Sequence, residues 1–338
     1  MTIFLFMSRN IPVGRASRQA EEHDFMQLPY LSAAQVHAAL EDRALVDALR
    51  TAFREGCTAP LRQTHDLGGG DRLLLMPAWQ SGRSMGVKLV TVFPGNRERG
   101  AATVAALYVL LDGATGHPCA LIDGEALTLR RTAAASALAS QYLSRTDSRH
   151  LLVVGTGALA PHMARAHCVV RPIDAVTVWG RRPGQAQALA AQLSAGGIPA
   201  RAQADLEAAL AQADIVTCAT TAMAPVIPGA WVRPGTHVDL VGGFTPQMRE
   251  ADDALVARAE VYVDTYAGAL AEAGDLTQTL DNGALARERV RAELAELARG
   301  ERSGRSDESQ VTLFKSVGSA LEDLCAARLA LERSGAQG

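Results

Sequence analysis

The stretch Leu151–Ala160, LLVVGTGALA, constrains this chain more than any other. Four apolar residues run into Gly155, Thr156, Gly157, Ala158, Leu159 and Ala160, and the helical pattern PHMARAHCVV follows at once. Strand, tight turn and helix in that order make a dinucleotide site in its G-x-G-x-x-A form. Gly155 permits the turn off the strand, Gly157 lets the backbone approach a pyrophosphate, and Ala160 lets helix and strand pack closely. The free N–H groups and the dipole at the helix start then hold the phosphates.

The flanking sequence supports this. After Leu151–Val154, strands at Ala175–Trp179, Ile215–Ala219, His237–Val241 and Val261–Val263 alternate with helical patterns at Pro183–Ser194, Asp205–Gln212 and Leu285–Leu297, which predicts a parallel, doubly wound sheet. The preceding part reads differently. Ser32-Ala-Ala-Gln35 resembles a capping box and opens one helical pattern ending at Gly56. Strands are expected at Leu61–His65, at Leu73–Met76 with Pro77 breaking it, and at Met85–Phe93. Two more, Leu107–Leu111 and Cys119–Ile122, flank the hairpin turn Asp112–Gly116, so this part reads as a helix and a mostly antiparallel sheet. The polar stretch 300–309 is expected as a loop. The amphipathic helix Val317–Glu332 has nowhere to pack in a finished nucleotide domain and is expected to return to the first one.

Composition removes several classes. With 33 Lys and Arg against 36 Asp and Glu, the net charge of −3 offers no basic field for nucleic acid. The five cysteines are scattered without a C-x-x-C pair, and His162 and His167 lack H-E-x-x-H spacing, so no metal site and no disulfide framework is expected. The N-terminal apolar run is too short for a signal-peptide core, Arg9 and Arg15 follow it, and no segment has membrane-span length. A cytoplasmic protein with a loose arm over residues 1–27 and no membrane partner is expected.

Two sets of cations bear on chemistry. The strand Ala175–Trp179 ends in Gly180-Arg181-Arg182, with no acid to bond a ribose 2′-OH. Paired guanidinium forks suit a 2′-phosphate, so NADPH is expected over NADH, against the bland reading of a solvated arginine pair. Lys88 stands inside a strand, Arg62 in Leu61-Arg62-Gln63, and Arg131 at the head of an Ala-rich helix. A strand-interior Lys is costly to bury unpaired, and an anionic substrate would supply the partner. Taken singly, each reads better as a snorkelling side chain with its tip in water.

Together with Leu75-Met76-Pro77-Ala78, Val87-Lys88-Leu89-Val90-Thr91, Asp112–Gly116, Arg131-Thr132-Ala133-Ala134 and Phe314-Lys315-Ser316-Val317-Gly318, these residues resemble the ornithine cyclodeaminase/μ-crystallin family. The resemblance covers roughly residues 28–335. It implies an α/β fold: a Rossmann NADP-binding domain over residues 128–312, and an α+β substrate and dimerisation domain from residues 1–127 and 313–338, completed by the C-terminal helix. A homodimer is implied. Arg62 and Arg131 would hold a substrate carboxylate, with Lys88 in the active site and Met76 beside it. Thr132, Lys315 and Ser316 would lie near the cofactor; Thr220, after the strand Ile215–Ala219, is counted with them.

Two departures matter. Where cyclodeaminases carry an Asp after paired small residues, Gly242-Gly243 is followed by Phe244 and Thr245, and Leu74 replaces an ornithine-contacting Glu. The pocket is therefore expected to lack the carboxylates that ring closure uses, and the chain looks like the branch that reduces cyclic ketimines. The substrate implied is Δ1-pyrroline-2-carboxylate, giving L-proline, or Δ1-piperideine-2-carboxylate, giving L-pipecolate. Phe244 would wall the ring and Thr245 offer a hydroxyl. Lys88 is either the proton donor or a third carboxylate contact. The competing readings are an alanine-dehydrogenase-like enzyme, a non-catalytic NADPH-dependent binder of the crystallin type, and an ornithine cyclodeaminase.

Overall fold

The computed structural model describes residues 28–335, so the expected arm lies outside the described residues. The first sheet has six strands: β1 (Tyr30–Leu31), β2 (Gln63–Gly68), β3 (Asp71–Gln80), β4 (Ser84–Val92), β5 (Val104–Asp112) and β6 (Pro118–Asp123). Strands β2 to β6 form an antiparallel meander, and β1 adds in parallel beside β6. The second sheet has eight: β7 (His150–Val154), β8 (Ala175–Trp179), β9 (Ala200–Ala202), β10 (Ile215–Cys218), β11 (His237–Leu240), β12 (Glu260–Val263), β13 (Val290–Glu293) and β14 (Thr312–Lys315). All its pairs are parallel, in the order β9-β8-β7-β10-β11-β14-β12-β13. The order reverses between β7 and β10, and the crevice outside the carboxyl ends of such strands is where α/β sheets take ligands.

The helices are α1 (Ala33–Ala39), α2 (Asp42–Glu55), α3 (Gly124–Leu143), α4 (Ala160–Val170), α5 (Pro183–Ala195), α6 (Leu206–Leu210), α7 (Asp253–Arg258), α8 (Tyr266–Glu272), α9 (Gly274–Asp281), α10 (Leu294–Arg299) and α11 (Ala320–Ser334). Among the described residues, no helix is long and apolar enough to cross a membrane. Helix α3 is buried along most of its length and packs against α1, α2, α4 and α11, and against strands of both sheets. It is the shared wall between the two sheets. The C-terminal α11 does return to the first sheet, lying on α1, α2, α3 and β3 to β5.

Four local expectations change. The helix expected over Leu285–Leu297 is strand β13 followed by α10, because β13 extends the parallel sheet beside β12. The single helix expected after Ser32 is two: Leu40, fully buried, leaves helical geometry, and the Glu41 carboxylate caps α2 by accepting from Arg43 N and Ala44 N at 3.0 and 2.8 Å. Pro77 does not break β3. Trp79 N donates to Thr58 O on the side of β3 away from β4, and Pro77 N faces that same side, where β2 has already ended at Gln63 opposite Leu75. No ladder bond is lost there, so the proline costs the sheet nothing. The segment before the last helix, unassigned by its pattern, is the central strand β14. Four residues are too few to show a period.

Candidate active site

The cleft lies between the carboxyl ends of β7, β10, β11 and β14 and one face of β3 to β5, and encloses about 400 Å³. The sheet face follows from register. Met76 on β3, Lys88 on β4 and Tyr108 on β5 are directly opposite one another, and Leu74, Val90 and Ala106 form the next row on the same face. The wall is therefore apolar, with one lysine set into it.

That lysine is paired. Lys88 is 2% exposed, and its Nζ lies 2.8 Å from Asp323 Oδ2 and donates to Asp323 Oδ1 at 2.9 Å and Thr128 Oγ1 at 3.3 Å. Arg131 Nε donates to the same Asp323 Oδ1 at 2.8 Å, and its Nη1 to Glu322 Oε2 at 2.8 Å. Arg62 binds Glu272 through Nε at 2.9 Å and donates through Nη2 to Val317 O and Gly318 O at 2.7 and 3.1 Å. Burial pushes the Lys88 ammonium down to about 8, with Asp323 opposing it and Arg131 and Arg62 adding to it. Burial likewise lifts the Glu322 carboxyl to about 7, against the pull of Arg131.

This corrects the expectation that a substrate anion partners Lys88. Asp323 is the resident partner, delivered by α11 from 235 positions away in sequence. A signal was present: in α11, Asp323 falls on the face shared by Ala320, Ala327 and Ala330, which are buried with it. Asp323 is fully buried beneath Lys88 and Arg131, with both oxygens engaged by them. Glu125, exposed on α3, is the acid at the rim.

The turn after β7 fits a dinucleotide. Gly155 has φ of 123°, and a Cβ there would meet Ala219 O at 2.6 Å, so glycine is required twice over. Gly157 is exposed, with nothing within 4 Å of where its Cβ would be. Ala158 is exposed beside it, and Leu159 lines the cleft at the N-cap of α4, whose first turn carries no side-chain cap. The cradle above the helix start is thus open; Ala160 N and His162 N donate to Gly157 O and Leu159 O and Pro161 has no N–H, so the turn amides of Gly157, Ala158 and Leu159 are the ones available to an anion. The Thr156 methyl packs on Gly180, and its hydroxyl donates to Gln185 at 3.2 Å, so the turn after β8 lies against the turn after β7. Arg181 and Arg182 lie in the turn after β8, both exposed, and neither makes an ion pair among the described residues.

Met76, Thr132, Thr220, Phe244 and Ser316 line the cleft as expected, Phe244 at 48% exposure. Two others do not. Lys315 is fully buried below the floor, 3.0 Å from Asp275 Oδ2, so its ammonium is occupied by a carboxylate rather than turned to a cofactor. Thr245 lies beyond Phe244, outside the lining, where its carbonyl accepts from Met248 N and Gly274 N.

The profile of the ornithine cyclodeaminase/mu-crystallin family matches residues 30–338. The chain belongs to this family. A Δ1-pyrroline-2-carboxylate reductase of Paracoccus denitrificans is 44% identical over 277 residues, 81% of this chain and 88% of that protein. The structure of the Thermococcus litoralis Δ1-pyrroline-2-carboxylate reductase in complex with NADH and L-proline superposes with a TM-score of 0.86 at 34% identity, covering 90% of this chain and 97% of that one. An archaeal alanine dehydrogenase dimer with bound NAD gives a TM-score of 0.85 at 28% identity, covering 90% and 95%.

Proposed function

We propose that this family member reduces a small cyclic ketimine carboxylate, Δ1-pyrroline-2-carboxylate foremost, using a nicotinamide cofactor. One observation carries the reading: Arg62, Lys88 and Arg131 gather at one end of an otherwise apolar cleft that opens onto the Gly155 turn. Two of these relatives, from Paracoccus denitrificans and Thermococcus litoralis, are Δ1-pyrroline-2-carboxylate reductases, and the structure with NADH and L-proline has the same fold.

The bound nicotinamide supplies a hydride to the C=N carbon; the protein supplies orientation, charge and a proton. Arg131 has two guanidinium nitrogens held by Glu322 and Asp323, and Nη2 has no acceptor among the described residues. Arg62 likewise keeps Nη1. These two donors take the substrate carboxylate by charge-assisted hydrogen bonds and fix one ring face. Leu74, Val90 and Phe244 enclose the ring carbons and exclude water. As the C=N electron pair moves onto nitrogen, that nitrogen takes a proton from Lys88 Nζ, whose value of about 8 suits donation near neutral pH. NADPH is preferred, with Arg181 and Arg182 on its 2′-phosphate. Both faces of the edge strand β2 are exposed, Leu67 at 54%, which supports a homodimer through the first sheet.

The deciding experiment offers five- and six-membered cyclic imino acids with NADPH and NADH and follows loss of nicotinamide absorbance. Turnover with Δ1-pyrroline-2-carboxylate and NADPH is expected. Turnover with pyruvate and ammonia alone would make it an amino-acid dehydrogenase, and proline and ammonia formed from ornithine would make it a cyclodeaminase. No oxidation with any imine would leave a binder.

A further inference from the structure

Below the floor of the cleft lies a cluster that the reduction itself does not use: Glu250, Asp275 and Lys315, each fully buried. Glu250 Oε1 accepts from Thr220 N and Thr220 Oγ1, each at 2.8 Å; its Oε2 accepts from Gly242 N at 2.7 Å and Gly243 N at 3.3 Å. Thr220 follows β10 and Gly242 follows β11, and both residues line the cleft. One carboxylate therefore ties together two loops that belong to different strands. It lies against the underside of the floor, since a Cβ on Gly242 would overlap both Thr220 O and Glu250 Oε1. Asp275 repeats the arrangement one layer deeper. Its Oδ1 accepts from Glu250 N at 2.7 Å and Ala251 N at 2.8 Å, and its Oδ2 lies 3.0 Å from Lys315 Nζ, which is 3.9 Å from Glu250 Oε2.

Two carboxylates against one ammonium leave a net charge of −1. Burial pushes the Glu250 carboxyl up, Lys315 and the Thr220 amide oppose it, Asp275 adds to it, and the net direction is upward. Three main-chain N–H groups around it can only donate, which holds it as the carboxylate. A charge in such a dry place acts strongly on whatever lies just above it.

We propose that Glu250 is a positioning residue for the nicotinamide cofactor. Its carboxylate locks the loops after β10 and β11 into one floor, and the negative charge beneath that floor favours the oxidised, positively charged ring over the reduced one. The role concerns the cofactor half of the site and does not depend on which imine is reduced.

The test is a pair of substrate-free titrations, reduced dinucleotide by its own fluorescence and oxidised dinucleotide by quenching of tryptophan. Glu250→Gln keeps the shape and removes the charge. The Kd of the reduced form is expected to rise about tenfold, from the lost carboxylate–amide bonds, and that of the oxidised form at least about threefold more. Glu250→Asp keeps the charge and shortens the reach, so both constants rise and their ratio stays. Asp214→Asn, at the opposite end of the same sheet, controls for general loosening and leaves both constants within about twofold. A folded Glu250→Gln protein binding both forms as the parent does would overturn the proposal. An unchanged ratio of the two constants overturns its charge component, and equal weakening in Asp214→Asn reduces Glu250 to a stabilising residue. If Glu250→Gln does not fold, Glu250→Asp decides: unaltered binding of both forms sinks the positioning role.

Discussion

The two ends of the parallel sheet use the same residue types to opposite purposes. At the amino ends of the strands, Asp214 accepts from Arg149 N and His150 N at 2.9 and 3.0 Å and pairs with Arg145 and Arg233 at 2.9 and 2.8 Å. Burial raises its carboxyl, but these donors outweigh that and hold it below the usual carboxylate range. Arg171 donates to five main-chain carbonyls and the Ser144 hydroxyl, and Arg305 to Leu143 O, Gln310 O and Thr312 Oγ1. These arginines act as staples. At the carboxyl ends, Arg62, Lys88 and Arg131 are also paired, and the two arginines each keep a donor that no acceptor among the described residues takes, while Lys88 spends its contacts on Asp323 and Thr128. An arginine whose donors are nearly all engaged braces the fold; one held by two carboxylates with an edge left over is oriented to receive an anion.

Substitutions can break this contrast. Lys88→Met should lower turnover of Δ1-pyrroline-2-carboxylate by about 10²–10⁴-fold, the usual worth of a positioned proton donor, with cofactor binding unaltered in a titration. Near-normal turnover would leave Lys88 a mere contact. Arg62→Ala removes one carboxylate donor and should raise the substrate KM by about 10–100-fold with a smaller change in kcat. Arg131→Ala is a poorer probe, because it strands the buried Glu322, leaves Asp323 with Lys88 alone, and should cost about 3–5 kcal/mol of stability, read as a lowered denaturation midpoint.

The remaining tests sharpen it. If Lys88 donates, kcat/KM is sustained below about pH 8, where Nζ is protonated, and falls roughly tenfold per unit above it. A profile flat through that range contradicts the role. Arg181→Ala with Arg182→Ala should raise the KM for NADPH about tenfold and leave that for NADH unchanged. At the stapled end, Asp214→Asn should cost about 1–3 kcal/mol of unfolding free energy and leave both KM values alone.

The cofactor half was legible in the sequence because its signal is local. Gly155, Gly157 and Ala160 lie within six positions, and the geometry they impose is that of one turn. The apolar runs of β7, β8 and β10 were legible for the same reason. The substrate half was legible only as three cations without partners. Lys88 and Arg131 stand out because charge is costly in a strand or an Ala-rich helix, but that cost names no partner.

What the chain's own order of residues determined was therefore the Rossmann turn, the antiparallel meander and the list of cations. What only the tertiary structure decided was which acid meets which cation: Asp323 under Lys88, Glu322 on Arg131, Glu272 on Arg62, and Asp275 drawing Lys315 away from the cleft. The reason is physical. Local conformation depends on neighbours a few residues apart, whereas an ion pair depends on distance in space, and α11 crosses about 190 to 235 residues of sequence to make the first two.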